Sequence, residues 1–132
     1  KLAAVAVRRN VLPESGGTWL LPRLVGWARA AEVAFLGRVL DAQECLRLGL
    51  VNTVVPHEQL MEETRAWAAE IASCAPAAVQ ATKRMMRLGL EESFEANVHH
   101  VYLQLIPLLR SEDFREAVAA FTERRRPVFT GR

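Results

Sequence analysis

Apolar residues recur at helical spacing over most of the chain. Trp19, Leu20 and Leu21 open an amphipathic stretch after Gly16 and Gly17 that stops near Pro22 or Gly26. A second helix is expected from Trp27 to Leu36, with Ala31, Ala34 and Phe35 available for one face and Gly37 closing it. Asp41 with Glu44 three residues on is a capping-box-like start, and the helix it opens ends at Gly49. Leu60, Met61, Thr64, Trp67, Ala68 and Ile71 mark a helix between Glu58 and Cys74. Pro76 suits the first turn of the next, which carries Val79, Met85, Met86 and Leu90. Ser93 to Leu109 reads as a long helix that Pro107 should end or kink. Ser111 caps a last helix through Arg125, with acids in its first turn, arginines in its last, and Pro127 as its stop. Two strands are expected, over residues 2–7 and over Val51–Val55, with Arg8, Arg9 and Asn10 breaking the first into a polar turn. The chain is thus mostly helix with one or two short strands, without repeats, low-complexity tracts or a linker.

Composition adds few constraints. The 132 residues are one domain's worth, and 51% hydrophobic with 24% charged is a soluble globular balance. A formal charge of +2 demands neither nucleic acid nor an anionic membrane. The short basic cluster Arg124, Arg125 and Arg126 at a helix end is weak evidence for nucleic acid, since cations are favoured there anyway. No apolar run reaches the roughly 18 residues that span a bilayer. Lys1 to Val7 reads as a buried strand edge rather than an export signal, as in a chain cut from a longer protein. Cys45 and Cys74 lie in helical patterns with neither CxxC spacing nor a paired His. They are expected to be free, partly buried thiols of a reducing cytoplasm.

Candidate chemistry concentrates in Leu12-Pro13-Glu14-Ser15-Gly16-Gly17-Thr18, a tight turn carrying one carboxylate and two glycines into a helix. Glycine lets backbone approach a ligand closely. Glu14 also has a purely structural explanation, because acids are favoured at the start of a helix. Adjacent His99 and His100 point about a hundred degrees apart on a helix, so they form no i, i+4 metal pair, and no metal is expected. Trp19, Trp27 and Trp67 suit core or subunit contacts. Met85 and Met86 suit packing or an acyl pocket, and Lys83, Arg84 and Arg87 a solvated helix face.

Three stretches in order resemble the enoyl-CoA hydratase/isomerase (crotonase) superfamily. Leu12 to Gly26 is similar to its P-(D/E)-x-G-G-T-x-x-L-P-R-x-x-G signature. Gly37 to Glu44 followed by Gly49-Leu50-Val51-Asn52 is similar to its G-x-x-x-x-A-x-E-A-x-x-x-G-L-V-N. Asp113 to Pro127 is similar to D-x-x-E-G-x-x-A-F-x-E-K-R-x-P. The likeness is greatest to isomerases of a phenylacetyl-CoA ring-epoxide and to enoyl-CoA isomerases.

The resemblance implies an α/β crotonase-like fold, of which this chain is the mostly helical C-terminal part. Residues up to about 55 would end the core, and the rest would form a helical trimerisation region. It also implies chemistry through the enolate of an acyl-CoA thioester, with CoA as part of the substrate and no separate cofactor. Glu14 falls where isomerases of the family carry one catalytic acid, and Gly16 and Gly17 form the turn near the thioester. Ala6 stands where the resemblance places a second glutamate of hydratases, which favours isomerisation over hydration. Phe121 and Arg124 match positions that hold the adenine and phosphate end of CoA, often on a neighbouring subunit. A core Phe and a dipole-complementing Arg explain the same two residues. Both oxyanion-hole donors come from the family's N-terminal half. Losing one such donor typically costs about 10²–10³ in rate, so the 132 residues alone are expected to be inert. A non-catalytic CoA-binding or oligomerisation role is the other reading.

Overall fold

The computed structural model describes all residues, Lys1 to Arg132, as two compact units, Lys1–Gln59 and Leu60–Arg132.

In the first unit, β1 (Leu2–Ala3) pairs antiparallel with β2 (Val39–Leu40), Leu2 opposite Leu40 and Ala3 opposite Val39. Only two residues of the expected 2–7 strand are extended, because Ala6–Arg9 winds into a 3-10 turn that ends at left-handed Asn10. Arg8 explains the tight turn. Its Nε donates to the Gly37 carbonyl at 2.6 Å and its Nη2 to Leu36 at 3.0 Å, placing a cation at the carboxyl end of the second helix. Val51–Val55 is not a strand. The run has β-branched residues but no backbone partner within the chain, and strand propensity without pairing does not make a sheet.

Helices α1 (Gly17–Val25), α2 (Trp27–Leu36) and α3 (Ala42–Leu48) complete this unit, with a 3-10 turn over His57–Gln59. Pro22 sits inside α1, which runs on to Gly26. α3 begins where Asp41 Oδ1 accepts the Glu44 N–H at 2.8 Å, and it ends at Gly49. The core comprises Val33, Leu40, Cys45 and Leu48, with Ala4, Leu21 and Leu50 packed against it. Leu48 is 1% exposed and stabilises the unit by about 1.5–3 kcal/mol through burial.

The second unit holds α4 (Leu60–Ala72), α5 (Pro76–Leu88), α6 (Phe94–Leu109) and α7 (Glu112–Glu123). Ser93 and Ser111 cap α6 and α7, accepting from Ala96 N at 3.2 Å and Phe114 N at 3.0 Å. Pro107 lies in the last turn of α6, which stops two residues later. α7 ends at Glu123, so Arg124 and Arg125 come after the helix rather than form its last turn. Of these four helices only Ala81, Asp113 and Ala120 are buried. α6 is apolar on several sides yet has no buried residue within the chain. No helix is long and apolar enough to cross a membrane.

One polar cluster gave no sequence signal. Glu92 accepts from Asn97 Nδ2 at 2.7 Å and faces His100 Nδ1 at 2.7 Å, while Asn97 Nδ2 also reaches the Met85 carbonyl at 3.2 Å, tying the end of α5 to the start of α6.

Candidate functional site

Glu14 lies in the first unit, on the turn that leads into α1. Gly16 N–H folds back to the Glu14 carbonyl at 2.7 Å, and Leu20 N–H donates to Gly16 at 2.8 Å, so the chain reverses and becomes helix within three residues. Two glycines make this turn possible for different reasons. Gly16 has φ +81°, a left-handed conformation that a side chain resists. At Gly17 a Cβ would lie 2.7 Å from the Pro13 Cβ, closer than two carbons can approach.

The Glu14 side chain is exposed and makes no hydrogen bond or ion pair within the chain. It precedes the Gly16 N-cap by two residues, and α1 has neither an acid in its first turn nor a side-chain cap. The helix-dipole explanation for an acid here is therefore weak, because that effect fades beyond the first turn. Pro13 and Gly17, which bracket Glu14, both line a groove of about 150 Å³. Leu21, Trp27, Ala31 and Phe35 form much of the rest of its wall, so the acid stands beside an apolar recess.

Trp27 is 73% exposed, and Trp19 and Trp67 are more than two-fifths exposed, so none of the three is a core residue here. The Arg23 guanidinium stacks 3.9 Å over the Trp19 ring, and Trp67 Nε1 donates to Glu63 at 2.8 Å. Neither cysteine is partly buried as expected, since Cys45 is buried in the core and Cys74 is exposed. His99 and His100 have ring centroids 6.1 Å apart and tilted by 54°. Met86 and Met85 both border the open apolar face of α5 and α6. Lys83, Arg84 and Arg87 are exposed, with Arg84 donating to Gln104 at 2.9 Å.

Phe121 and Arg124 lie in the second unit. Phe121 is 86% exposed, which excludes the core explanation within this chain. On the expected helix running through Arg125, their spacing of three would put them on one face. Arg124 instead leaves the helix with φ +53°, and its N–H donates to the Phe121 carbonyl at 3.3 Å. Their proximity comes from the turn that closes α7, not from helical register.

Sequence reasoning missed the network next to them. Arg125 binds Glu116 through both terminal nitrogens and Glu123 through Nε, and Glu116 also accepts the Val128 N–H at 2.8 Å. The Arg125 hydrogen bonds, with that of Val128, hold the Glu116 carboxyl at about 2, well below the usual carboxylate range, and the same acids push the Arg125 guanidinium upward. The signal that could have found this was the acid at 116 in the third motif, nine residues before Arg125.

The enoyl-CoA hydratase/isomerase family model matches residues 4–132. An enoyl-CoA isomerase/hydratase of Mycosarcoma maydis is 32% identical over 132 residues, 100% of this chain and 48% of that protein. Carnitinyl-CoA dehydratase of Salmonella typhi is 38% identical over 127 residues, 93% of this chain and 49% of the relative. The crystal structure of enoyl-CoA hydratase from Bacillus anthracis superposes with a TM-score of 0.93 at 33% identity, covering 97% of this chain and 50% of that one. The chain spans about half the length of the curated relatives it matches. Its two short strands and seven helices are accordingly a part of the crotonase-like fold. On the sequence match and the shared architecture together, the chain belongs to the enoyl-CoA hydratase/isomerase family.

Proposed function

We propose that the protein containing this chain shifts a double bond in an acyl-CoA thioester, with Glu14 as the group that moves the proton. The carboxylate takes a proton from C2 of a 3-enoyl thioester, the carbon between the carbonyl and the double bond, and the electron pair spreads onto the thioester oxygen as an enolate. The resulting carboxylic acid returns the proton to a different carbon, and the electrons flow back into a relocated double bond. One acid suffices for both transfers. Gly16 and Gly17 allow the backbone to pass close to the thioester, while Phe121 and Arg124 hold the nucleotide end of CoA by stacking and phosphate contact.

The observation that carries this reading is Glu14 itself, an exposed carboxylate that caps nothing, held on a two-glycine turn beside an apolar groove. CoA is part of the substrate, and no separate cofactor is invoked. The helical second unit is assigned to assembly as a trimer or hexamer, in the cytoplasm. The 132 residues alone are assigned no turnover.

Hydration of a 2-enoyl-CoA is the second reading, supported by the names of the Bacillus anthracis hydratase and the Salmonella typhi dehydratase. The test is Glu14→Gln in the full-length protein, assayed with 3-enoyl-CoA and 2-enoyl-CoA. Loss of isomerisation with thioester binding retained supports the proposal. Water addition by the parent protein at a comparable or higher rate moves the assignment to hydratase. Unchanged turnover in Glu14→Gln removes Glu14 from the chemistry, and turnover by the 132-residue chain alone overturns the inertness assigned to it.

A further inference from the structure

The chain closes two helices with the same hydrogen-bond pattern but different residues. After α3, Leu50 N–H donates to Cys45 O at 2.9 Å and Gly49 N–H to Leu46 O at 3.0 Å, with Gly49 in the left-handed position. After α7, Arg125 N–H donates to Ala120 O at 3.0 Å and Arg124 N–H to Phe121 O at 3.3 Å, with Arg124 in that position. Glycine adopts this conformation freely and is the usual residue there. A side chain resists it, so a non-glycine residue persists there when its surroundings hold it in place.

The restraint comes from the neighbouring residues. Arg125 is fastened by all three guanidinium nitrogens, two to Glu116 and one to Glu123. Glu116 also grips the backbone beyond, accepting Val128 N–H at 2.8 Å. The outgoing chain is thus pinned to α7 on the far side of Arg124. The fastened residue is the cation in the middle of the run. Arg124 has no ion pair and is exposed.

We propose that Glu116 is a positioning residue that, through Arg125, holds Arg124 in the left-handed turn and presents its guanidinium to the phosphates of CoA. The inference rests on the CoA-binding role proposed for Arg124. It makes Arg125 a strut rather than a ligand for the substrate, and it assigns a binding role to a residue of the same sign as the group bound.

That sign makes the test sharp. In the full-length protein, Glu116→Gln removes a negative charge near the phosphate site, so electrostatics alone would tighten CoA binding. The bracket predicts the opposite, a Kd for free CoA raised by about 3–10-fold, because the fork that fixes Arg125 is lost. Turnover is compared for the CoA thioester and for the same acyl group on N-acetylcysteamine, which lacks the nucleotide. The ratio of kcat/KM for the CoA thioester to that for the truncated thioester should fall, whereas a general folding defect would lower both together.

Arg125→Lys, which keeps the charge but not the fork, should reproduce the loss. Arg124→Gly, which takes the turn without strain, should remain folded and lose the same CoA preference. If Arg124→Gly weakens CoA binding while Glu116→Gln leaves it unchanged or tighter, the bracket is wrong and the CoA reading stands. If Arg124→Gly leaves CoA binding intact, the CoA reading of Arg124 falls and takes the bracket with it.

Discussion

Arg8 donates from Nε to the carbonyl of Gly37 at 2.6 Å, fastening the end of α2 to the segment that enters the Glu14 turn. The contact joins parts of the chain 29 residues apart and uses a cation where the helix presents its unpaired carbonyls. Arg8→Ala should cost about 1–3 kcal/mol, as removal of a charged donor does. The check is the urea midpoint of the full-length protein, with Arg8→Lys expected to fall between the two because it offers a point charge rather than a fork.

Gly17→Ala forces a methyl group against Pro13, at 2.7 Å in the present geometry. Overpacking of this kind costs about 1–3 kcal/mol, and the turn must shift to relieve it. Because Glu14 lies between the two residues, kcat of the full-length protein should fall more than KM rises. Steady-state kinetics at equal folded fraction measures this.

Asp113 is buried, and its carboxylate accepts Thr130 N–H at 2.7 Å and Gly131 N–H at 2.9 Å, while its own N–H donates to the Arg132 carbonyl at 2.9 Å. It therefore anchors the last residues to the first turn of α7. Asp113→Ala leaves two amides without acceptors and should cost about 1–3 kcal/mol. Hydrogen exchange at Thr130 and Gly131 should accelerate more than exchange in α3, which belongs to the other unit.

The lowered Glu116 pKa fixes the direction of an acid effect. The folded state holds the carboxyl at about 2 against an ordinary 4.5, so the unfolded chain binds its proton first as the pH drops. The stabilisation from the Glu116–Arg125 pair is present above about pH 4.5 and is lost as the pH falls toward 2. Glu116→Gln should thus differ in stability from the parent protein at pH 6 and converge with it near pH 2. Urea unfolding across that range reads the convergence.

Local chemistry was the legible part of this fold. Gly37 and Gly49 ended their helices as expected, and Asp41, Ser93 and Ser111 each cap one through a single side-chain oxygen three residues from its donor. These signals lie within one turn of the residue that produces them. The strands were only partly legible, because pairing is a property of two distant segments: Leu2–Ala3 falls inside the expected 2–7 strand, whereas its partner Val39–Leu40 gave no signal. Val39–Leu40 is extended because Leu2–Ala3 lies beside it, and Val51–Val55, with better strand residues, is not.

The same contrast holds for the candidate site. The glycines around Glu14 announced a turn, whereas the partners of Asp113 are backbone N–H groups that no residue type reveals. Two acids of the third motif, Asp113 and Glu116, prove to be anchors for the chain beyond α7.

The two cysteines divide along the same units as the fold. Cys74 is open to solvent, whereas Cys45, 4% exposed, sits in the core with Val33, Leu40 and Leu48. A thiol reagent added to this chain would modify Cys74 at once and reach Cys45 only when the first unit opens. The chain thus carries its own two-speed chemical clock, with the fast thiol as the reference and the slow one timing the breathing of the unit that bears Glu14.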